Sequence, residues 1–120
     1  MALSHTDTSE ITTGHGVLQN ETLINLANQY HTPLYVYDGD QILKNFKAFH
    51  KAVSNLDSKV HFAVKANSSV AILSLLRKAG AGADIVSGGE LQRALNANIN
   101  PDSIIFSGVG KTDDELLLAM

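Results

Sequence analysis

The chain contains no cysteine. That excludes disulfides, thiolate nucleophiles and cysteine zinc sites within its 120 residues, and it is compatible with a cytosolic setting. An excess of either charge is also missing: nine Lys and Arg stand against twelve Asp and Glu, a formal balance of -3, with the basic residues spread along the chain. No basic footprint for a nucleic-acid partner results. The longest apolar runs, "VAILSLL" and "LLLAM", fall far short of the roughly 20 residues that a membrane-spanning helix needs. The opening "MALSHTDTSEITTGHG" has neither the basic segment nor the apolar stretch of a signal peptide. These absences predict a soluble, cytoplasmic chain without a nucleic-acid or membrane partner. What is present is a hydrophobic content of 44%, enough over this length for one compact core and too little chain for two.

Residues 1–16, rich in Ser, Thr, His and Gly, show no periodicity and read as a mobile tail. In "NETLINLANQY", Leu23, Ile24, Ala27 and Tyr30 recur at helical spacing, Asn20 is the expected N-cap, and Pro33 opposes continuation. The β-branched and aromatic run "PLYVYD" predicts a strand. After it, "DGDQILKNFKAFHKAVSNL" begins with Asp38 and Gln41 at capping-box spacing. It sets Ile42, Phe46, Phe49 and Val53 on one helical face.

From there a grammar repeats. The strand "VHFAVK" leads to a helix "SVAILSLLRKAG", the strand "ADIV" to "GGELQRALNAN", and the strand "SIIFS" to "TDDELLLAM". Strands alternating with helices in this way predict parallel βα units. The caps agree: Ser87 with Glu90 and Thr112 with Glu115 form capping boxes, and Gly80 follows the first of these helices. Three units leave two architectures open, a doubly wound open sheet or the first three units of an eight-fold βα barrel. The last apolar pattern runs to Met120 without a C-cap glycine or a basic last turn. It reads as an interrupted element, and so as the N-terminal part of a longer protein.

In "KVHFAVKAN" a strand-like run ends on a lysine. Alternation puts Val60, Phe62 and Val64 on one face and His61, Ala63 and Lys65 on the other. Lys65 thereby falls at the C-terminal end of the first parallel strand, where βα folds bind ligands. A lysine at a strand end can simply reach into solvent along its apolar stem. An amine held in a pocket can instead act as a nucleophile toward carbonyl compounds, pyridoxal phosphate among them.

Four segments choose between these readings. "TPLYVYD", "FAVKAN", "GADIVSGGEL" and "IIFSGVGKT", in this order and spacing, resemble the N-terminal part of the diaminopimelate decarboxylase family. The resemblance covers residue 17 onward. It implies the first three βα units of a TIM-type (β/α)8 barrel over 58–120. Residues 17–57 would supply an opening helix, a strand belonging to a separate β domain and a leading helix. Pyridoxal 5'-phosphate is the implied cofactor, held by Lys65 as a Schiff base, with Ala63 as the small residue beside the ring and Asp84 as a carboxylate near the lysine. His61, Ser87, Glu90 and Ser107 are the further pocket-lining candidates. The implied reaction is decarboxylation of meso-2,6-diaminopimelate to L-lysine, by a homodimer acting on a small amino-acid substrate. Decarboxylation of ornithine, arginine or carboxylated polyamines, or a non-catalytic pyridoxal-phosphate carrier of the same fold, are the alternatives. The family's phosphate-binding glycines, ring-stacking histidine, pyridine-pairing glutamate and substrate residues come later than these 120 positions, so the chain alone is expected to be inactive.

Other motifs fail on their spacing. "SGVGKT" ends like a phosphate loop, but position 105 is Ile105 where the first glycine must stand. Lys111 then reads as a solvated loop residue. The glycines of "GAGADIVSGG" precede the strand or open the next helix, and no G-x-G-x-x-G follows the first strand. Gly88 and Gly89 fit close approach of a helix N-terminus to a strand end. His5, His15, His31, His50 and His61 form no pair at ligand spacing, so no metal site is expected.

Overall fold

The computed structural model describes residues 18–120. The tail expected over 1–16, with His5 and His15, lies outside the described residues. Two compact units divide the chain, one reaching Gln41 and the other running from Ile42 to Met120.

In the first unit α1 spans Asn20–Tyr30. Its N-cap is Gln19 and not Asn20, because the backbone is extended at Gln19 (φ -70°, ψ 149°) and already helical one residue later. Leu23, Ile24 and Ala27 line an apolar cleft of about 210 Å³ together with Thr32, Leu34 and Val36. The strand expected in "PLYVYD" does not form among the described residues. Branched and aromatic side chains favour extended backbone, but a strand also requires a neighbouring ladder to satisfy its N–H and C=O groups. Asp38 behaves as expected, its Oδ1 accepting the Gln41 amide at 3.0 Å. That bond lies at the start of α2, Gly39–Ala52.

In the second unit Ile42 and Phe46 of α2 pack against Ile72, Leu76 and Ala81. Phe49, expected on the same face, is 59% exposed. The unit continues β1 (His61–Ala63), α3 (Val70–Lys78), β2 (Gly82–Ile85), α4 (Gly88–Asn96), β3 (Ile104–Phe106) and α5 (Asp113–Ala119). The three strands form one sheet in the order β1-β2-β3. Both pairings are parallel, as the alternating pattern requires, with Ala63 opposite Asp84 and Asp84 opposite Ile105. A parallel sheet needs long crossovers, and α3 and α4 supply them.

Period-two alternation divides the sheet sharply. Ala83, Ile85, Phe62, Ile104 and Phe106 join Val64, Leu73, Leu91, Ala94, Ala97 and Ile99 in the main core. Val64, Leu73 and Ile85 are its largest fully buried side chains, each contributing about 1.5–3 kcal/mol by removal from water. The other face carries His61, Ala63, Gly82, Asp84 and Ile105, and neither core cluster includes any of them. Gly80 closes α3 with φ +99°, a conformation that costs other residues more. Its amide donates to the Arg77 carbonyl at 2.9 Å and the next amide, of Ala81, to Leu76 at 3.1 Å.

Candidate functional site

Lys65 is not on the strand. β1 stops at Ala63, and Val64–Ala66 form a single 3-10 turn. Val64 points into the core, fully buried, while Lys65 beside it is exposed. The tight turn keeps the lysine at the C-terminal end of the sheet and swings it out of the strand's alternation. Among the described residues its amine has no hydrogen-bond or ion-pair partner.

Asp84 lies on the uncovered face one strand away, level with Ala63. Its Oδ1 accepts the Ser107 hydroxyl at 2.5 Å. The Ser107 amide in turn donates to the Ile85 carbonyl at 2.9 Å. Ser107, just beyond β3, is thus tied to β2 by backbone and side chain, and the two candidates meet directly. Ala63 and Gly82 add almost no bulk to the same face.

Ser87 and Glu90 shape the turn between β2 and α4. The Ser87 hydroxyl accepts the Glu90 amide at 3.2 Å, as an N-cap should. Glu90 does not complete a capping box: its Oε2 accepts the Val86 amide at 2.9 Å, one residue further back. Both side chains are therefore committed to the turn. His61 sits at the opposite, N-terminal end of β1, where its Nδ1 lies 3.2 Å from the Lys59 carbonyl and its ring covers Gly82. β1 separates it from Lys65.

Two side chains have larger roles than their local spacing indicates. Glu115 completes the capping box with Thr112 and also reaches α4, its Oε1 accepting the Gly88 amide at 2.8 Å. Gly88 is accordingly close to α5: a Cβ there would meet the Glu115 side chain at 3.3 Å, whereas one on Gly89 meets only Ser87. The Thr112 amide first, then the Gly88 amide, hold the Glu115 carboxyl below the usual range, with the Thr112 hydroxyl adding to them and partial burial opposing. Lys111, expected to be solvated, folds back onto the carbonyls of Phe106, Ser107 and Gly108 at 3.3, 3.3 and 2.5 Å. Its ammonium also stands 5.3 Å from the Phe106 ring centre. A lysine directly before an N-cap, five residues after the last residue of a strand, was the signal available for that contact.

The arrangement gathers an unengaged amine, a carboxylate fixed by a hydroxyl and a small residue, Ala63, at one end of a parallel sheet. An amine so placed can attack a carbonyl carbon.

Residues 39–120 match the family model for the pyridoxal-dependent decarboxylase, pyridoxal binding domain. The diaminopimelate decarboxylase of Vibrio cholerae is 47% identical over 98 residues, which are 82% of this chain and 24% of that protein. The enzyme of the same name from Helicobacter pylori is 48% identical over 95 residues, 79% of this chain and 24% of its own length. The crystal structure of the Helicobacter pylori diaminopimelate decarboxylase complexed with L-lysine superposes with a TM-score of 0.75 at 44% identity. That superposition covers 82% of this chain and 26% of that one. The chain spans about a quarter of the length of the curated relatives it matches.

Proposed function

Because the chain belongs to the pyridoxal-dependent decarboxylases, matching their pyridoxal-binding domain, we propose that it is the Lys65-bearing part of a diaminopimelate decarboxylase. The whole protein would remove carbon dioxide from meso-2,6-diaminopimelate to give L-lysine, as a homodimer. Its three βα units would be the first three of an eight-stranded barrel. The observation that carries the reading is Lys65 itself. Among the described residues it is an exposed amine with no partner, at the sheet end where βα folds take ligands, in a chain whose relatives bear this enzyme's name.

The residues present fit pyridoxal phosphate in their chemistry. Lys65 Nζ would hold it covalently through the cofactor's carbonyl carbon. Ala63, with one carbon of side chain, would leave room for a flat ring against the sheet. Asp84 would offer a carboxylate at the level of Ala63, with Ser107 keeping Oδ1 engaged. When bound, the cofactor supplies an electron sink for the pair left behind as a carboxylate departs. Lys65 would exchange its hold for the substrate's amine and recover it on product release. Ser87 and Glu90 would fix the turn that ends the Asp84 strand, since their polar atoms are spent on Val86 and α4 amides.

Titration of the chain with pyridoxal phosphate, followed by visible absorbance, tests this reading. A saturable change in the unsubstituted chain is expected, and in Lys65→Met only the weak, non-saturating reaction of the other exposed lysines. Equal titration of both chains would refute the assignment. The 120 residues alone are expected to release no carbon dioxide from meso-diaminopimelate above the rate of free cofactor, and an enzymatic rate from them would contradict the division of labour proposed.

A further inference from the structure

Lys111 belongs to the "SGVGKT" segment, of which the proposed function uses only Ser107. An ammonium has three N–H donors, and three consecutive carbonyls, of Phe106, Ser107 and Gly108, stand within 3.3 Å of this one. Gly108 at φ +89° turns the chain so that these oxygens converge. A Cβ on Gly108 would stand 3.5 Å from Val86, which brings the turn against the end of β2. The Phe106 ring lies 5.3 Å from the same ammonium and adds a cation–π contact.

The consequence falls on Ser107. Its amide is held by the Ile85 carbonyl at 2.9 Å and its carbonyl by Lys111 at 3.3 Å. With both backbone groups fixed, the hydroxyl is left rotation about one bond. It is aimed at Asp84 Oδ1, 2.5 Å away, and 3.4 Å from the Ile85 carbonyl. We propose that Lys111 is a positioning residue: its ammonium clamps the turn after β3 so that Ser107 holds the Asp84 carboxylate in place for the cofactor. The inference rests on the role proposed for Asp84 and Lys65. It assigns to the segment a task that neither phosphate binding nor helix capping supplies.

A double-mutant cycle on cofactor attachment separates such positioning from general support of the fold. The readout is the fraction of Lys65 trapped by borohydride as the pyridoxal phosphate concentration is raised, with circular dichroism confirming that each variant is folded. Lys111→Met and Ser107→Ala are each expected to weaken attachment by roughly tenfold, a coupling ordinary for neighbours in one hydrogen-bond network. The double variant should be no weaker than Ser107→Ala alone. Losses that multiply, or no loss in Lys111→Met, would overturn the proposal. Lys111→Arg keeps the charge but offers a planar fork that cannot converge on three carbonyls. It should behave as Lys111→Met does, and full recovery would show that charge alone suffices and overturn the clamp. Trace labelling of the unsubstituted chain with an amine reagent requires no variant to fold: Lys111 should react more slowly than exposed Lys47, and equal rates would refute the clamp. Absence of any trapping at Lys65 in the unsubstituted chain would instead refute the underlying reading and the inference with it. Normal trapping with multiplying losses refutes the inference alone.

Discussion

At the scale of single residues, Gly82 has no space for a side chain. A Cβ there would fall 2.5 Å from the Ser103 carbonyl oxygen and nearer still to the His61 ring. Ser103, 7% exposed, is in turn held by Lys59 Nζ at 2.5 Å, so that neighbour cannot give way freely. Gly82→Ala should destabilise the chain by about 1–3 kcal/mol, the cost of overpacking a filled site, read as a lowered urea midpoint. An unchanged midpoint would show that β1 and β3 tolerate separation at this level. Lys65 differs from Gly82 in kind, since no packing or hydrogen bond among the described residues accounts for a lysine there. Its place at the sheet end followed from alternation and parallel order, but its departure from the strand did not. The 3-10 turn is set by Val64 entering the core, and that depends on Leu73, Ala83 and other residues distant in sequence.

At the scale of elements, the helices and the three core strands were legible because their signals are local. Helical spacing, Ser87 and Thr112 as N-caps, and Gly80 as a terminator each act within one turn. "PLYVYD" forms no ladder among the described residues for the complementary reason, since strand formation depends on a partner that propensity cannot supply. Glu115 lies between the two cases. Its capping box with Thr112 is visible from spacing, but its second oxygen serves Gly88, 27 positions earlier. One carboxylate therefore joins the first turns of α4 and α5, and this gives stability a pH dependence of definite sign. The folded-state pKa of Glu115 lies below its ordinary value. Its contribution is therefore complete above the unfolded value and is lost as pH falls through the folded one. Urea midpoints of the unsubstituted chain and Glu115→Gln should differ at neutral pH, with the unsubstituted chain more stable. They should converge as pH drops below the carboxylate range. Curves that stay parallel throughout would mean the carboxylate is not what joins the two helices.

At the scale of the whole molecule, β1 and β3 each have one edge with no strand beside it among the described residues. The face bearing Asp84 and Ile105 contributes nothing to either core, and Ile105 is 49% exposed. Leu117 and Leu118 of α5 are 71% and 54% exposed as well. Open edges and apolar surface of this kind favour association. Light scattering on the 120-residue chain should find self-association that grows with concentration, and a monomer with a cooperative melt at high temperature would contradict that. The parallel order and the division of the sheet into two faces were readable from alternation, whereas the choice between open sheet and barrel was not, because three βα units are common to both. The account as a whole depends on one amine. Incubation with pyridoxal phosphate, borohydride reduction and peptide mass mapping should place a pyridoxyl group on Lys65 well ahead of the exposed Lys44, Lys47 and Lys51. Modification spread evenly over those lysines, with no preference for Lys65, would contradict the central claim.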